Sequence, residues 1–307
     1  MTRRDEENLV VLVVGLLPYD SGKTTLAKSL VLKAKELGVD VGVSKPITAV
    51  NGWYQYESVL RSIELGVLVG NDIYTLHSAA SSSDSIEVES AVVSLLMPPD
   101  PERVGWQSSA YTAFSLFEQV VCLRVTGIGA EGTETKHFYV PSNIYKLPDT
   151  LKNETNRLLD SLQPEAVEAT QEQVEDILLN SYKLADDCLR CVTEKHSLVV
   201  VESYSNAAAP TQSSLNAKAV IAVAPGKAAI YDGELYRKAL MAISDIKEPW
   251  LTTTEEVIKL LKPVLTIELK PVSESNSREA RETGTDEVDR ILSTVFESGA
   301  FESGIVH

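Results

Sequence analysis

The sequence predicts an α/β protein: a three-layer α/β/α sandwich on a mainly parallel sheet, interrupted by an inserted α+β cap region. Three observations carry this expectation. Runs rich in Val and Ile, apolar on both faces, recur at 8–15, 39–46, 196–203 and 218–225, as in strands covered by helices on each side. Helical patterns separate them, which is the grammar of βαβ units. Between 47 and 195 that rhythm stops.

The 307 residues are 44% hydrophobic, enough for one large core or two smaller ones. Lys and Arg total 28 against 44 Asp and Glu, a formal net charge of -16. So negative a surface repels phosphodiester backbones, and long nucleic acid is not an expected partner.

The first element is the strand NLVVLVVG at 8–15. Its apolar run is too short to span a bilayer, and no signal-peptide cleavage pattern accompanies it. A cytoplasmic protein without membrane contact is expected. The helix TTLAKSLVLKAKELG follows, with Leu26, Leu30 and Leu37 on one stripe and Gly38 as its stop. VDVGVSKP at 39–46 is the second strand.

In the insertion, ITAVNGWYQYES (47–58) gathers Trp53, Tyr54 and Tyr56 after an Asn-Gly turn, suited either to stacking on a base or sugar or to core packing. The helical YESVLRSIELGV and the Pro-rich 97–105 follow, then a hairpin pair at 120–127 and 136–142. A long amphipathic helix is expected from about Pro164 to Thr193, burying Val174, Ile177, Leu178, Leu184, Cys188, Leu189 and Val192. The chain then returns to sheet at 196–203 and 218–225. A helix opened by Asp232 covers 232–246, and an edge strand covers 263–269. KPVSESNSREARETGTDE is polar and expected to be mobile, with a short helix at 288–296 beyond it. The expected organisation is therefore a core of 1–46 plus 196–270, an insertion or cap at 47–195, and a polar C-terminal tail at 271–307.

Three cysteines are too few for a disulfide scaffold. Cys188 and Cys191 form a Cys-x-x-Cys on a helical pattern with no second pair, so they read as ordinary helix cysteines. His77, His137, His196 and His307 lie in no zinc-ligand spacing.

The chemistry concentrates in GLLPYDSGKTT, Gly15 to Thr25. The standard phosphate-binding loop is G-x-x-x-x-G-K-[ST]; Ser21-Gly22-Lys23-Thr24 satisfies its end, while Leu17 stands at its first glycine. Gly-Lys-Ser/Thr alone occurs by chance in about one chain in seven of this length. The context is what argues for a phosphate site: a buried strand ends at Gly15, a helix starts at Thr24, and that helix's N-terminus offers free N–H groups and a positive dipole end to an anion. Gly22 would let the backbone approach the phosphates, with amides of Asp20 to Thr25 lining the nest. Lys23 would reach the β- and γ-phosphates, and Thr24 would offer its hydroxyl to Mg²⁺. Glu202 ends the apolar run LVVV, placing a carboxylate at the carboxyl end of a buried strand, where open α/β sheets bind ligands. Lys45 stands at the end of the second strand, and Asp20 reads mainly as a turn former.

VVGLLPYDSGKTTLA with GVSKPI and VVVESYSNAAAP resembles the dethiobiotin synthetase-like branch of P-loop proteins, most of all archaeal proteins described as predicted P-loop ATPases or GTPases. The likeness covers 1–46 and 196–225. It implies Gly22, Lys23 and Thr24 on nucleotide and Mg²⁺, Thr25 near the α-phosphate, Glu202 as the second element of the metal site, and Lys45 near the transferred phosphate or an acidic substrate. Ser21 and Asp20 complete the implied nucleotide contacts. The loop spacer is longer than in dethiobiotin synthetase, and ESYSN replaces glycines of that family, which argues against the same substrate. A second signature lysine, as in partition-type ATPases, is absent from the loop.

The expected activity is Mg²⁺-dependent binding and hydrolysis of ATP or GTP, with transfer or ligation onto a small acidic substrate. Lys23, Glu202 and Lys45 are the catalytic candidates, and the insertion is expected to close over the site or present a substrate. Two alternatives stand beside this: a nucleotide-sensing regulatory protein with slow turnover that engages a protein partner, and a polynucleotide 5′-hydroxyl kinase. A homodimer is compatible with either enzymatic reading.

Overall fold

A computed structural model describes residues 8–130, 132–244, 248–271 and 285–298. Its strands in chain order are β1 Leu9–Gly15, β2 Val41–Ser44, β3 Ile47–Asn51, β4 Val92–Leu96, β5 Val120–Gly129, β6 Gly132–Tyr139, β7 Val167–Glu168, β8 Leu198–Glu202, β9 Ala219–Ala224, β10 Lys227–Asp232 and β11 Leu265–Glu268. The longer helices are α1 Lys23–Glu36, α2 Tyr56–Leu65, α3 Asn71–Ala80, α4 Asp149–Ser161, α5 Gln171–Asn180, α6 Tyr182–Thr193, α7 Gly233–Ser244 and α8 Thr285–Ser298. The chain forms two compact units, one of 1–46, 75–84 and 189–307, the other of 47–74 and 85–188. The segments 75–84 and 189–195, grouped with the insertion on sequence, thus belong to the first unit.

The first unit holds a six-stranded sheet in the order β11-β10-β9-β1-β8-β2. β9, β1, β8 and β2 run parallel. Val10 to Val14 and Val199 to Val201 are buried on both faces, so burial rather than alternation selects these β-branched runs as central strands. Strand β10 is antiparallel to both β9 and β11, which makes the sheet mixed. Residues 226–231 carry no assignment on sequence. Gly226, at φ 79°, closes the tight β9–β10 turn that produces the extra strand.

Helix α1 packs on β1, β2 and β8 through Leu26, Ala27, Leu30, Val31 and Ala34. Leu37, expected on that face, is the C-cap and is exposed: α1 ends at Glu36, and Gly38 at φ 77° then turns the chain away. The Asp232 carboxylate accepts from Leu235 N at 2.9 Å and opens α7 as expected. Strand β11 is the expected edge strand. α8 packs on α1 and β11 with Val288, Ile291, Leu292 and Val295 buried. Of the stretch 270–287 expected to be mobile, 272–284 lie outside the described residues, as does His307, while Thr285–Glu287 already form the first turn of α8, which begins earlier than the expected 288.

The second unit holds a mixed sheet, β3-β4-β5-β6-β7. The expected hairpin is present as β5 and β6, paired from Cys122↔Tyr139 to Gly129↔Gly132. Val50, Val93, Leu95, Val121 and Cys122 form a core with Val59 of α2 and Leu151 and Leu158 of α4. The single long helix expected over 164–193 does not form. Val167–Glu168 pairs with β6 as an edge strand, a Thr170/Gln173 capping box starts α5, and the Ser181 hydroxyl donates to Leu178 O at 2.8 Å where α5 ends. Val174, Cys188, Leu189 and Val192 are buried as expected, whereas Leu184 is exposed. Trp53 and Tyr54 are exposed rather than core residues, and Tyr56 donates its hydroxyl to Glu154 at 2.6 Å. No helix among the described residues is long and apolar enough to cross a membrane.

Candidate functional site

Strand β1 ends at Gly15, and residues 16–22 carry the chain to α1. Leu16 N donates to Val223 O at 2.9 Å, fixing the start of the turn on the neighbouring strand β9. The buried Ser21 hydroxyl donates to Leu17 O at 2.8 Å and accepts from Leu17 N at 3.1 Å, so it closes the loop on itself. Asp20 at φ 54° and Gly22 at φ 88° are both left-handed and turn the backbone back on to the helix. That conformation is free of cost only for glycine.

Lys23 is the first residue of α1. Its cap, Gly22, has no side-chain acceptor, and the first turn contains no acidic residue. The helix N-terminus therefore carries a lysine where a carboxylate would be favourable, an arrangement that makes electrostatic sense for holding an anion. The Lys23 side chain folds back across the start of the loop: a Cβ on Gly15 would stand 2.7 Å from its Nζ and 2.9 Å from Ser21 Oγ. Its ammonium donates to Ser205 O at 2.7 Å. Ser205 is itself left-handed, at φ 46°, within a turn held by Ser203 N donating to Val13 O at 2.9 Å and Ser203 Oγ donating to Ala207 O at 2.8 Å.

Glu202 ends β8 opposite Val13 of β1 and is 1% exposed. Its Oε1 accepts from Thr24 Oγ1 at 2.9 Å and from Lys45 Nζ at 2.7 Å. Lys45, 5% exposed, follows β2, whose last residue Ser44 pairs with Val201. The carboxyl ends of three adjacent parallel strands, β2, β8 and β1, thus deliver Lys45, Glu202 and the loop to one place. Among the sequence candidates, Ser21, Gly22, Lys23, Thr24, Glu202 and Lys45 are brought together here. Asp20 and Thr25 are exposed on the outer edge of the loop and first helical turn.

Thr24 and Glu202 supply a hydroxyl and a carboxylate, hard oxygen donors of the kind Mg²⁺ takes with water and phosphate oxygens completing its shell. Among the described residues no cluster of three or more His, Cys, Asp or Glu could hold a metal. Sequence reading missed the Ser205 carbonyl as the resting partner of Lys23 and Gly15 as the space into which that side chain folds. The polar turn ESYSN after an apolar strand was the available signal for the first.

Fold and site together define a mixed α/β protein with two mixed sheets, whose loop-to-helix junction gathers two lysines and a glutamate. No protein-family model, no curated protein and no solved structure matches the chain.

Proposed function

We propose that the protein is a P-loop α/β protein that binds ATP or GTP with Mg²⁺ at the 15–25 loop and hydrolyses it, or passes its terminal phosphoryl group to a small acidic substrate. The observation that carries this reading is the convergence of Lys23, Thr24, Lys45 and Glu202 at three parallel strand ends below the N-terminus of a 14-residue helix.

In this reading the loop and first-turn amides hold phosphate oxygens. Lys23 exchanges the neutral Ser205 carbonyl for a charged phosphate, a stronger charge-assisted hydrogen bond. Thr24 and Glu202 would hold Mg²⁺, which when bound supplies charge neutralisation on the phosphate oxygens. Lys45 serves the transferred phosphoryl or the acidic acceptor. Adenine is favoured by the family resemblance alone. Catalysis here would rest on positioning and charge, with no covalent protein intermediate required.

Melting curves with ATP, GTP, CTP and UTP plus Mg²⁺ test the binding. A ligand at about a hundred times its Kd stabilises by about 2.7 kcal/mol, a shift of several degrees. Lys23→Ala is expected to abolish the shift while leaving the unliganded melting temperature within a few degrees of wild type; a shift that survives removes the loop assignment. Phosphate release over many turnovers separates an enzyme from a nucleotide-sensing binder.

A further inference from the structure

Lys45 is buried in the site and ion-paired. It shares Glu202 Oε1 with the Thr24 hydroxyl, and the Lys45 and Glu202 side chains are 7% and 1% exposed. A carboxylate this buried needs a counter-charge, and here an ammonium of the same chain provides it. A metal held by Thr24 and Glu202 would share that carboxylate with the Lys45 ammonium. A divalent ion and an ammonium beside one carboxylate repel each other strongly away from bulk water.

We infer that Lys45 is a built-in counter-cation that keeps metal off Glu202 until a nucleotide arrives, so that metal entry and release of the Lys45 ammonium are a single event. The inference rests on the phosphate-site reading and adds to it an order of binding. Without nucleotide, a metal would have to displace an ion pair and would gain one carboxylate and one hydroxyl. With a triphosphate present, phosphate oxygens complete the metal's shell and offer the displaced ammonium a new anionic partner. Lys45 then reaches the phosphate or acidic acceptor only in the loaded state, which ties its availability for transfer to the metal.

The test uses Mn²⁺ alone as the probe, with free Mn²⁺ followed by electron paramagnetic resonance on the full chain without nucleotide. Lys45→Met is expected to bind Mn²⁺ about tenfold tighter than wild type, since one like charge has gone from beside the site. The double variant Lys45→Met/Glu202→Gln is expected to lose that gain. Folded Lys45→Met with unchanged or weaker Mn²⁺ binding overturns the inference. Lys45→Gln gives the same reading where Met does not fold. If neither folds, the ¹⁵Nζ signal of Lys45 in wild type decides: it must stay fixed with Mg²⁺ alone and move when Mg²⁺ and a non-hydrolysable ATP analogue that raises the wild-type melting temperature are added together. Movement with Mg²⁺ alone, or none in either case, overturns the inference. Because the Mn²⁺ comparison contains no nucleotide, its failure is separate from failure of the phosphate site, which the Lys23→Ala melting experiment reads.

Discussion

At Gly22 the backbone stands at φ 88°, directly before a helix whose first side chain is Lys23. Alanine there has open space, with Val223 Cγ1 at 3.8 Å from its Cβ, so the cost is conformational alone. Gly22→Ala is expected to lower unfolding free energy by about 1–2 kcal/mol, read from urea denaturation at unchanged m-value. Gly15 fails for the opposite reason, since its Cβ would meet Lys23 Nζ and Ser21 Oγ. The sequence made Gly22, Lys23 and Thr24 legible because their spacing after a buried strand is local. It could not show that Lys23 rests on Ser205 or that Lys45 rests on Glu202, because those partners lie 182 and 157 residues away.

Between elements, two polar clusters hold the units together internally. In the first unit, His196 sits between Asp40 Oδ1 at 3.0 Å and Asp84 Oδ2 at 2.9 Å, and Lys195 reaches Asp84 at 2.7 Å. Carboxylates only accept, so both ring nitrogens are satisfied only in the imidazolium. Burial lowers the His196 pKa, but the Asp40 and Asp84 hydrogen bonds outweigh it and raise it above 6.5. A raised folded-state pKa stabilises fully below the unfolded value and is lost as pH rises through the folded one. Asp84 is likewise pushed up by burial but pulled below its ordinary value by Lys195 and His196, so its share is lost as pH falls through that depressed value.

The clamp is therefore strongest between about pH 4 and 6.5. The melting temperature of wild type minus that of His196→Asn is expected to fall between pH 6 and 9; a flat difference contradicts the clamp. His137 works in the opposite sense in the second unit. Burial holds its pKa down to about 4, so the folded state keeps the ring neutral and loses stability as pH falls below 6.5, which is why the paired difference is the quantity to measure.

The second cluster surrounds Arg124, fully buried on β5, with Nε donating to Leu68 O at 2.7 Å, Nη1 to Thr126 Oγ1 at 2.9 Å and Nη2 to Ser90 O. Burial lowers its pKa to about 10, leaving it charged at neutral pH. The planar fork matches these divergent oxygens, and an ammonium does not. Arg124→Lys is expected to cost about 2–3 kcal/mol in denaturant unfolding, from carbonyls left buried without donors; a cost under half that would show that water replaces the fork. On sequence this residue is one more charge in VVCLRVTG, because nothing local marks a strand position as enclosed on all sides.

Over the whole chain, the two units draw on discontinuous sequence, and the C-terminal α8 belongs to the first. Ile291 is fully buried where α8 meets the rest of that unit, and Lys33 pairs with Asp289 at 3.0 Å beside it. Ile291→Ala is expected to cost about 2–5 kcal/mol, whereas Asp289→Ala, which removes a partly exposed pair, is expected to cost under about 1 kcal/mol; equal costs in thermal or denaturant unfolding would mean that α8 is held by charge and not by packing.

By itself the sequence determined the parallel centre of the first sheet, the hairpin of the second, and the loop-helix junction with its lysine, because strand burial, turn residues and helix starts are written in short windows. Tertiary structure alone decided that 75–84 joins the first unit, that 164–193 splits into a strand and two helices, that β10 folds back on β9, and that Glu202 meets both Thr24 and Lys45. Those outcomes depend on which distant surfaces and charges come to share one low-dielectric space, and no local pattern of residues encodes that.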